Sequence, residues 1–374
     1  MTMRFARGAR LPPTFFDGAR RQILDAQRAD GAIAWFVGGL VDPWNHLEAA
    51  MGLNCLGERA AAERAFEFLF ASQLADGSWH GQMGNALPID EATEAFVRTP
   101  SDLPQIRDTN HIAYIATAAL HHHLLHRDRK FLRRAWPVLV RAMEFVLAHQ
   151  SPHGDIRWAA DDKATPEDDA LLSGCASIYK SLASALVLAD EVGEGRTRTA
   201  RWHAAWVQLG DALRTKPHRF DRGWESKAGF SMDWYYPILA GAVEGAAARA
   251  RLAARWSRFV VEGAGCLCVA HEPWVTLAET AELVLALMRM GERAKAGQML
   301  GWLHQWRNED GTYYMGRQMR LNRFWPMELP PWTAGAVILA TDAVLEFSPA
   351  HHFFSADLYP PQHAQRPHMV RLGK

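Results

Sequence analysis

The heptapeptide QLADGSW, residues 73–79, ends an amphipathic helical segment and decides the fold because it recurs along the chain. Gln27, Gln150 and Gln305 also end helical segments, and each is followed by a glycine and then by aromatic residues. Gln27 and Gln73 lie 46 positions apart. An internal repeat of about 50 residues is typical of helical hairpins arranged in a ring or solenoid.

Helical periodicity predicts six pairs of helices, the first of each pair amphipathic and the second rich in Ala, Gly and Leu. The amphipathic segments are 14–28, 59–74, 128–149, 196–215, 248–261 and 293–307. The apolar segments are 43–56, 109–126, 169–190, 233–246, 274–290 and 332–347. A helix that is apolar nearly all round must be buried, and an amphipathic helix covers it from outside. The sequence therefore predicts an all-α fold, a single (α/α)6 barrel over residues 1–349, with a Pro- and His-rich tail over 350–374.

Small residues are expected to let neighbouring inner helices approach closely, and they occur at Ala118-Ala119, Gly241-Ala242 and Gly335-Ala336. The repeated glycine is expected to serve a turn, and the aromatic residue after it to complete the barrel wall. We therefore interpret the repeated element as a folding feature and not as a ligand site.

Charge and cysteine usage exclude several classes of protein. Lys plus Arg and Asp plus Glu both number 41, so the basic surplus of a nucleic-acid-binding protein is missing. No apolar run approaches the length of a membrane span, and no apolar segment of a signal peptide follows the basic N-terminus. The four cysteines lack the spacing of a zinc site or redox pair. We predict a cytoplasmic protein without metal or cofactor that acts on a small-molecule substrate; the oligomeric state is left open.

The loops that lead into the inner helices of such a barrel meet at one end, so the residues there line one funnel. Each junction carries a carboxylate beside an aromatic residue. The candidate substrate-binding residues are Asp42, Trp44, His46, His111, Tyr114, Trp234, Tyr235, Glu272, Trp274, Glu279, Trp325 and Trp332. This combination suits a sugar, which offers hydroxyls to hydrogen-bond and C–H faces to stack. An aromatic funnel also suits an isoprenoid carbocation, which ring quadrupoles attract.

Three junction carboxylates are candidate catalytic residues: Glu328 as general base, and Asp108 and Asp233 as proton donor or substrate-orienting groups. Glycoside hydrolysis uses such a pair, because one carboxyl protonates the leaving oxygen and the other activates water. Each residue also has a structural interpretation, since a carboxylate at a helix start caps free N–H groups. His46 and His111, near Asp42 and Asp108, are candidate proton carriers.

The repeats resemble two groups that share the α/α toroid. The first is the terpenoid cyclases and protein prenyltransferases, whose structural QW motif is matched by Arg64-Ala65, Phe68-Leu69, Gln73, Gly77 and Trp79, and partly by Arg141-Ala142, Phe145-Val146, Gln150, Gly154 and Trp158. The DxDD and DDxxD motifs of those enzymes are absent. This resemblance implies the fold, and leaves an enzyme acting on an isoprenoid as the alternative function.

The second is the six-hairpin glycosidases, particularly the glucoamylase-like members. Their third outer helix and its loop are similar to Phe131-Leu132, Trp136-Pro137, Ala142, Phe145-Val146, Gln150, Gly154 and Trp158. Their general base precedes the last inner helix, a placement that Glu328 matches four residues before Trp332. Their general acid is a Glu directly after the tryptophan of the third loop, where this chain has Ala159-Ala160. Asp161, Asp162 or another junction carboxylate would then supply the proton.

The second resemblance implies a carbohydrate-active, glycosidase-like hydrolase that acts on a sugar or glycoside. Two further alternatives share the barrel. Sugar epimerases use two histidines for proton transfer, and His46, His111 and His271 are available. A non-catalytic sugar-binding barrel is the other.

Overall fold

The computed structural model describes residues 11–84, 105–161 and 167–359, which form twelve α-helices in six pairs. The outer helices are α1 (Asp17–Asp25), α3 (Arg59–Ser72), α5 (Arg129–Ala148), α7 (Arg196–Thr215), α9 (Gly245–Phe259) and α11 (Arg293–His304). The inner helices are α2 (Pro43–Cys55), α4 (Thr109–His126), α6 (Leu172–Val192), α8 (Ser231–Leu239), α10 (Leu277–Arg289) and α12 (Pro331–Leu345). Each inner helix packs between two others, in the cyclic order α2, α4, α6, α8, α10, α12 and back to α2. The fold is the predicted (α/α)6 barrel.

Short strands, which the sequence did not predict, connect the loops that enter the inner helices. One antiparallel pair joins β1 (Arg107–Asp108) to β2 (Ala159–Ala160). A five-stranded antiparallel sheet has the order β3 (Val260–Val261), β4 (Gly265–Leu267), β5 (Trp274–Thr276), β6 (Gly316–Gln318) and β7 (Arg323–Phe324). Because β5 precedes α10 and β6 and β7 precede α12, the sheet fixes the loops before the last two inner helices to each other.

The repeated glutamine forms hydrogen bonds between successive outer helices, which confirms that the repeat is structural. In three hairpins its side-chain amide donates to the glycine of its own turn and to a carbonyl of the next outer helix. The acceptors are Gly31 and Ala61 for Gln27, Gly77 and Val138 for Gln73, and Gly154 and Ala205 for Gln150, at 2.9–3.0 Å. Gln305 departs from this pattern and donates to Gly263. The aromatic residues Trp79 and Tyr313 are buried in the wall.

The ring closes where the first hairpin meets the last. Gln22 of α1 donates to the carbonyls of Tyr313 and Pro330, both at 3.0 Å, and accepts from the Tyr313 N–H at 2.9 Å. Inside the ring, a methyl group at Gly335 of α12 would lie 2.7 Å from the carbonyl oxygen of Glu48 in α2. Such a distance is shorter than a van der Waals contact, so only glycine lets these two helices approach so closely. The prediction for Gly335 is confirmed.

The prediction for Gly241-Ala242 was wrong. Helix α8 ends at Leu239, several residues earlier than the apolar pattern indicates, and Gly241 has φ of 77° in the turn that follows. That left-handed conformation is accessible to glycine at little cost and ends the helix. Gly241 therefore serves a turn outside the helix, where its missing side chain leaves room for the Arg289 guanidinium of α10.

The described part of the C-terminal segment packs against the barrel. Phe353 and Phe354 are buried in the same core as the inner helices. Lys180 of α6 is also buried and donates from Nζ to the carbonyl of Phe353 at 2.7 Å. The proposed boundary at residue 349 stays a prediction, and residues 360–374 lie outside the described ranges.

One helix of the described ranges, α6, is long and apolar enough to cross a membrane, but 72% of its most apolar window is buried inside the protein. A core helix of a globular protein passes the same test of length and composition. The burial accounts for the apolar sequence of α6 without a lipid environment. All four cysteines carry free thiols.

Candidate active site

The site is built where the inner helices begin, and two aspartates fix the starts of neighbouring helices. Asp42 caps α2, since its Oδ1 accepts from the Asn45 N–H at 2.9 Å, and its Oδ2 accepts from the indole of Trp35. Asp108 caps α4, since its Oδ1 accepts from the N–H groups of Asn110 and His111 at 2.8 and 3.1 Å. The capping interpretation of both residues is therefore correct, and it leaves Oδ2 of Asp108 outside the cap.

His111 lies between these two carboxylates. Its Nδ1 is 3.8 Å from Oδ1 of Asp42, and its Nε2 is 4.0 Å from Oδ2 of Asp108. The His111 ring also contacts Trp44 edge-to-face at 5.9 Å between centroids. The imidazole of His111 therefore lies between two carboxylates and an indole, a position that suits contact with a substrate hydroxyl.

Deeper in the barrel than Asp42, Asp108 and His111, buried carboxylates approach one another. They come from α2 and α10, the two inner helices that flank α12. Glu48 of α2 and Glu282 of α10 are both buried, and Glu279 of α10 is half-buried one turn closer to the opening. Burial, together with the charges of Asp42 and Glu279, raises the pKa of Glu48 to about 8. Burial and the charge of Glu48 raise the pKa of Glu282 well above its ordinary value. This pair therefore holds a proton at neutral pH, and Tyr235 donates its hydroxyl to Oε2 of Glu282.

Aromatic rings line the same region. Trp44 contacts Tyr114 at 5.5 Å and Tyr236 at 5.8 Å between ring centroids, so three inner helices contribute to one aromatic wall. Trp44 is half-buried, whereas the two tyrosines are almost fully buried. The partly exposed indole can therefore contact a ligand, and the two buried tyrosines pack against it.

Asp233 lies in the first turn of α8 and is 4% exposed. Its Oδ1 accepts from the Ser173 N–H at the start of α6, at 3.3 Å. Burial, reinforced by the charge of Asp221, raises the pKa of Asp233 to about 6. A carboxyl that keeps its proton close to neutral pH is suited to act as a general acid.

Glu328 lies in the loop before α12, which several contacts hold in place. The indole of Trp274 donates to the Trp325 carbonyl at 2.6 Å, next to the cis bond between Trp325 and Pro326. The Met315 N–H donates to the Glu328 carbonyl at 3.0 Å, and the Glu328 side chain is buried. These contacts fix the backbone that carries Glu328 beside the start of α10.

Trp332 connects the loop that carries Glu328 to the loop before α2. It is half-buried at the start of α12, and its ring contacts Trp35 at 5.9 Å and Phe36 at 6.0 Å. Because Trp35 in turn donates to Asp42, the aromatic contacts link the loop of Glu328 to the Asp42 carboxylate. The ring order of the inner helices puts Asp108, Asp233 and Glu328 at the starts of alternate helices, α4, α8 and α12.

The loop before α6 has no carboxylate directly after Trp158. Its strand β2, however, pairs with β1, which contains Asp108. In the pairing of β1 with β2, Asp108 is the partner of Ala159. Asp161 follows, and its carbonyl accepts from the Arg107 guanidinium at 2.6 Å. Asp162 lies outside the described residues. The place where the resemblance puts a glutamate is therefore next to Asp108 in this chain.

Two predicted binding residues, His46 and Trp234, use their ring nitrogens for contacts within the barrel, so these two assignments were wrong. Both ring nitrogens of His46 are used by the backbone, with the Ile33 N–H at 2.9 Å from Nδ1 and the Ala65 carbonyl at 2.9 Å from Nε2. The indole of Trp234 donates to the Arg251 carbonyl in outer helix α9. Tyr235 is fully buried and orients Glu282 instead of contacting a ligand directly. Glu272 is exposed in the turn before β5.

The sequence did not single out Glu48, Glu282 and Tyr236 as site residues. For Glu282 the available signal was its spacing from Glu279, because residues three positions apart lie on the same helix face. They lie inside apolar helices, so the sequence pattern around them is that of core residues. The structure groups no three His, Cys, Asp or Glu residues of the described ranges as metal ligands.

Comparison with known proteins identifies one curated relative and several similar structures, while no family model matches. The relative is the MMP endo-(1,4)-3-O-methyl-alpha-D-mannosidase of Mycolicibacterium hassiacum, 42% identical over 332 residues that cover 89% of this chain and 86% of the relative. A solved glycosidase variant in complex with glucose has a TM-score of 0.64 at 17% identity, covering 88% of this chain and 97% of its own. The mannosylglycerate hydrolase of Thermus thermophilus has a TM-score of 0.61 at 12% identity, covering 87% and 99%. The glycosidase-like resemblance is confirmed, and these similarities give no support to the isoprenoid alternative.

Proposed function

This chain belongs to the family of the MMP endo-(1,4)-3-O-methyl-α-D-mannosidase, and from that premise we propose that it hydrolyses internal α-1,4 bonds of a 3-O-methylated mannan. The chain is a glycosidase-like, carbohydrate-active protein whose substrate is a sugar. The observation that carries the finer proposal is the ring of buried carboxylates beside half-buried indoles at the starts of the inner helices. Carboxylates supply the acid and base of glycoside hydrolysis, and indole faces stack on sugar rings.

We assign the general base to Glu328. Its position before the last inner helix matches that of the base in the six-hairpin glycosidases, and the hydrogen bonds of Trp274 and Met315 hold its loop. An ionised Glu328 takes a proton from the water that attacks the anomeric carbon. The loop is anchored on both sides, so the carboxylate keeps its place during the reaction, and rigid placement accounts for much of the effect of such a group.

We assign the proton donor to Asp233, whose raised pKa of about 6 lets it carry a proton near neutral pH. Asp108 is less suited to that step, because its Oδ1 accepts two backbone N–H bonds as the cap of α4. Asp108 instead orients His111, and His111 and Trp44 hold a sugar ring. The half-buried Glu279 and Trp332 complete the set of residues that contact substrate. A cytoplasmic location remains part of the proposal.

The test is the product distribution from a 3-O-methylated α-1,4-mannan, followed by mass spectrometry during the first part of the digestion. An endo-acting enzyme releases fragments of intermediate length first. Release of monosaccharide from the chain ends contradicts endo action. Binding without any cleavage contradicts hydrolysis and favours the non-catalytic sugar-binding barrel. Glu328→Gln under the same conditions identifies products that come from this active site.

A further inference from the structure

Exposed large apolar side chains concentrate around the opening of the barrel. Among the described residues, five of the seven most exposed ones lie in loops that enter inner helices: Val37, Phe230, Leu321, Met327 and Leu329. The two others are Val207 on outer helix α7 and Phe347, which follows the end of α12. Single exposed apolar residues are ordinary on a protein surface, whereas a group of them around a binding site indicates contact with an apolar ligand surface.

Val37, Leu321, Met327 and Leu329 lie in the loops that enter the neighbouring helices α2 and α12, and we name these four residues the apolar rim. Val37 is 66% exposed in the turn of residues 35–40, and the neighbouring Trp35 and Phe36 contact Trp332. Leu329 lies three positions before Trp332, and Met327 and Leu329 flank Glu328. Part of the rim therefore lies in the same loop as Glu328 and Trp332.

Leu321 extends the rim towards α10. It is 60% exposed in the turn between β6 and β7, and β6 pairs with β5 at the entrance of α10. The Arg317 guanidinium donates to both the backbone carbonyl and the side-chain oxygen of Asn322, which fixes the shape of this turn. Leu321 is exposed on a turn of fixed shape, so its apolar surface is available to the part of a ligand that extends beyond the opening.

We propose that the apolar rim is a subsite for the O-methyl groups of the glycan on either side of the cleaved bond. This inference rests on the proposed function. A 3-O-methyl ether removes a hydroxyl donor and adds an apolar surface, so an apolar side chain binds the methylated sugar better than the free hydroxyl. Burial of one methyl group on such a surface corresponds to about fourfold in affinity. The rim thus distinguishes a methylated mannan from an unmethylated one.

The experiment compares Val37→Asn and Leu321→Asn, with Val207→Asn as the matched control, because Val207 is an exposed valine on outer helix α7. Dissociation constants are measured by calorimetry for 3-O-methylated and unmethylated α-1,4-mannooligosaccharides of equal length. Each rim variant is expected to weaken binding of the methylated ligand about fourfold, and the double variant about sixteenfold, with the unmethylated ligand unchanged. Val207→Asn changes neither constant.

Equal weakening for both ligands, or no change for the methylated one, overturns the assignment of the rim. These outcomes differ from a failure of the proposed function, in which the wild-type protein neither binds nor cleaves the methylated oligosaccharide. If the wild type cleaves the methylated chain and the rim variants keep its preference over the unmethylated chain, the function stands and the rim inference is wrong.

Discussion

Asp42 and His111 come from neighbouring inner helices, and Oδ1 of Asp42 lies 3.8 Å from Nδ1 of His111. The other nitrogen of the same imidazole approaches Asp108, so one ring connects the caps of α2 and α4. A cap that also orients a side chain at the opening has two roles, one in stability and one in binding. The two roles can be separated by comparing Asp108 with an aspartate that caps an outer helix away from the opening.

Asp108→Asn and Asp128→Asn provide that comparison. Asp128 caps outer helix α5 through the N–H groups of Lys130 and Phe131, as Asp108 caps α4, and it also accepts from the Arg59 guanidinium on the outer surface. Asparagine is a good cap, so neither variant is expected to lower Tm by more than a few degrees. Asp108→Asn is expected to lower kcat/KM about tenfold or more, because His111 loses its carboxylate, while Asp128→Asn leaves kcat/KM unchanged. Equal kinetic effects in the two variants rule out an orienting role for Asp108.

Glu328→Gln preserves the shape of the side chain and removes the base. We expect turnover to fall at least about a hundredfold, with Tm within about 2 °C of the wild type. Glu309→Gln, at an exposed glutamate in the turn before Gly311, is the control and should keep full activity. Near-normal turnover of Glu328→Gln on a cleaved glycan shows that another carboxylate activates the water.

Much of the fold is predictable from the sequence because each apolar helix alternates with an amphipathic one. Helices α3, α4 and α7 begin at the residues that the pattern indicates. The strands were missed since each has only two or three residues, too few for an alternating pattern. Helix α8 was predicted too long, because the sequence does not reveal that Gly241 adopts positive φ.

The site was harder to predict, since adjacent residues on a helix face different directions. Trp234 turns to an outer helix, whereas Tyr236, two positions later, contacts Trp44 at the opening. A sequence gives the order of these residues but only approximately the rotation of their helix. Glu48 and Glu282 were missed for a related reason: each lies in a mostly buried helix, α2 or α10, and the closed ring places these helices on either side of α12.

Asp233 should impose the alkaline limb of the pH–rate profile. Its pKa is raised to about 6, so the fraction of protonated donor falls as pH rises through that value. The kcat/KM for an unactivated glycoside is expected to decline about tenfold per pH unit above it. Asp233→Asn should remove this limb and lower the rate about a hundredfold, with a smaller loss on an aryl mannoside whose leaving group needs no proton. An equal loss on both substrates excludes Asp233 as the donor.

Glu48 makes stability depend on pH in a definite direction. Its pKa is about 4.5 in the unfolded chain and about 8 in the folded protein, so the native state binds more protons between these values. The contribution of Glu48 to stability is therefore most favourable at the low end of this window and is lost as pH rises from 4.5 to 8. Glu48→Gln cannot ionise, and its Tm relative to wild type should increase by roughly 2–5 °C between about pH 5 and pH 8. Glu67→Gln, on the exposed side of α3, should show no such trend in thermal unfolding.

Lys180 should produce the opposite dependence at higher pH. Burial lowers its pKa from 10.5 to about 7, with a further contribution from Arg289, so the unfolded chain binds more protons between these values. The cost of the buried charge is complete below pH 7 and is relieved as pH rises towards 10.5. Lys180→Met removes the charge, and its Tm relative to wild type should fall by roughly 3–6 °C between about pH 6.5 and pH 9.5.

Lys295→Met is the matched control for this last prediction. The ammonium groups of Lys180 and Lys295 both lie 4.4 Å from an aromatic ring centroid, that of Phe353 and that of Trp256. Lys295 is exposed on α11, so its removal tests the cation–π contact without the cost of burial. A pH-independent Tm difference for Lys180→Met means that Lys180 contributes through its ring contacts and its hydrogen bond to Phe353, without a cost from its buried charge. A difference that shrinks with pH only for Lys180→Met means that the C-terminal segment is closed over a lysine whose charge opposes folding.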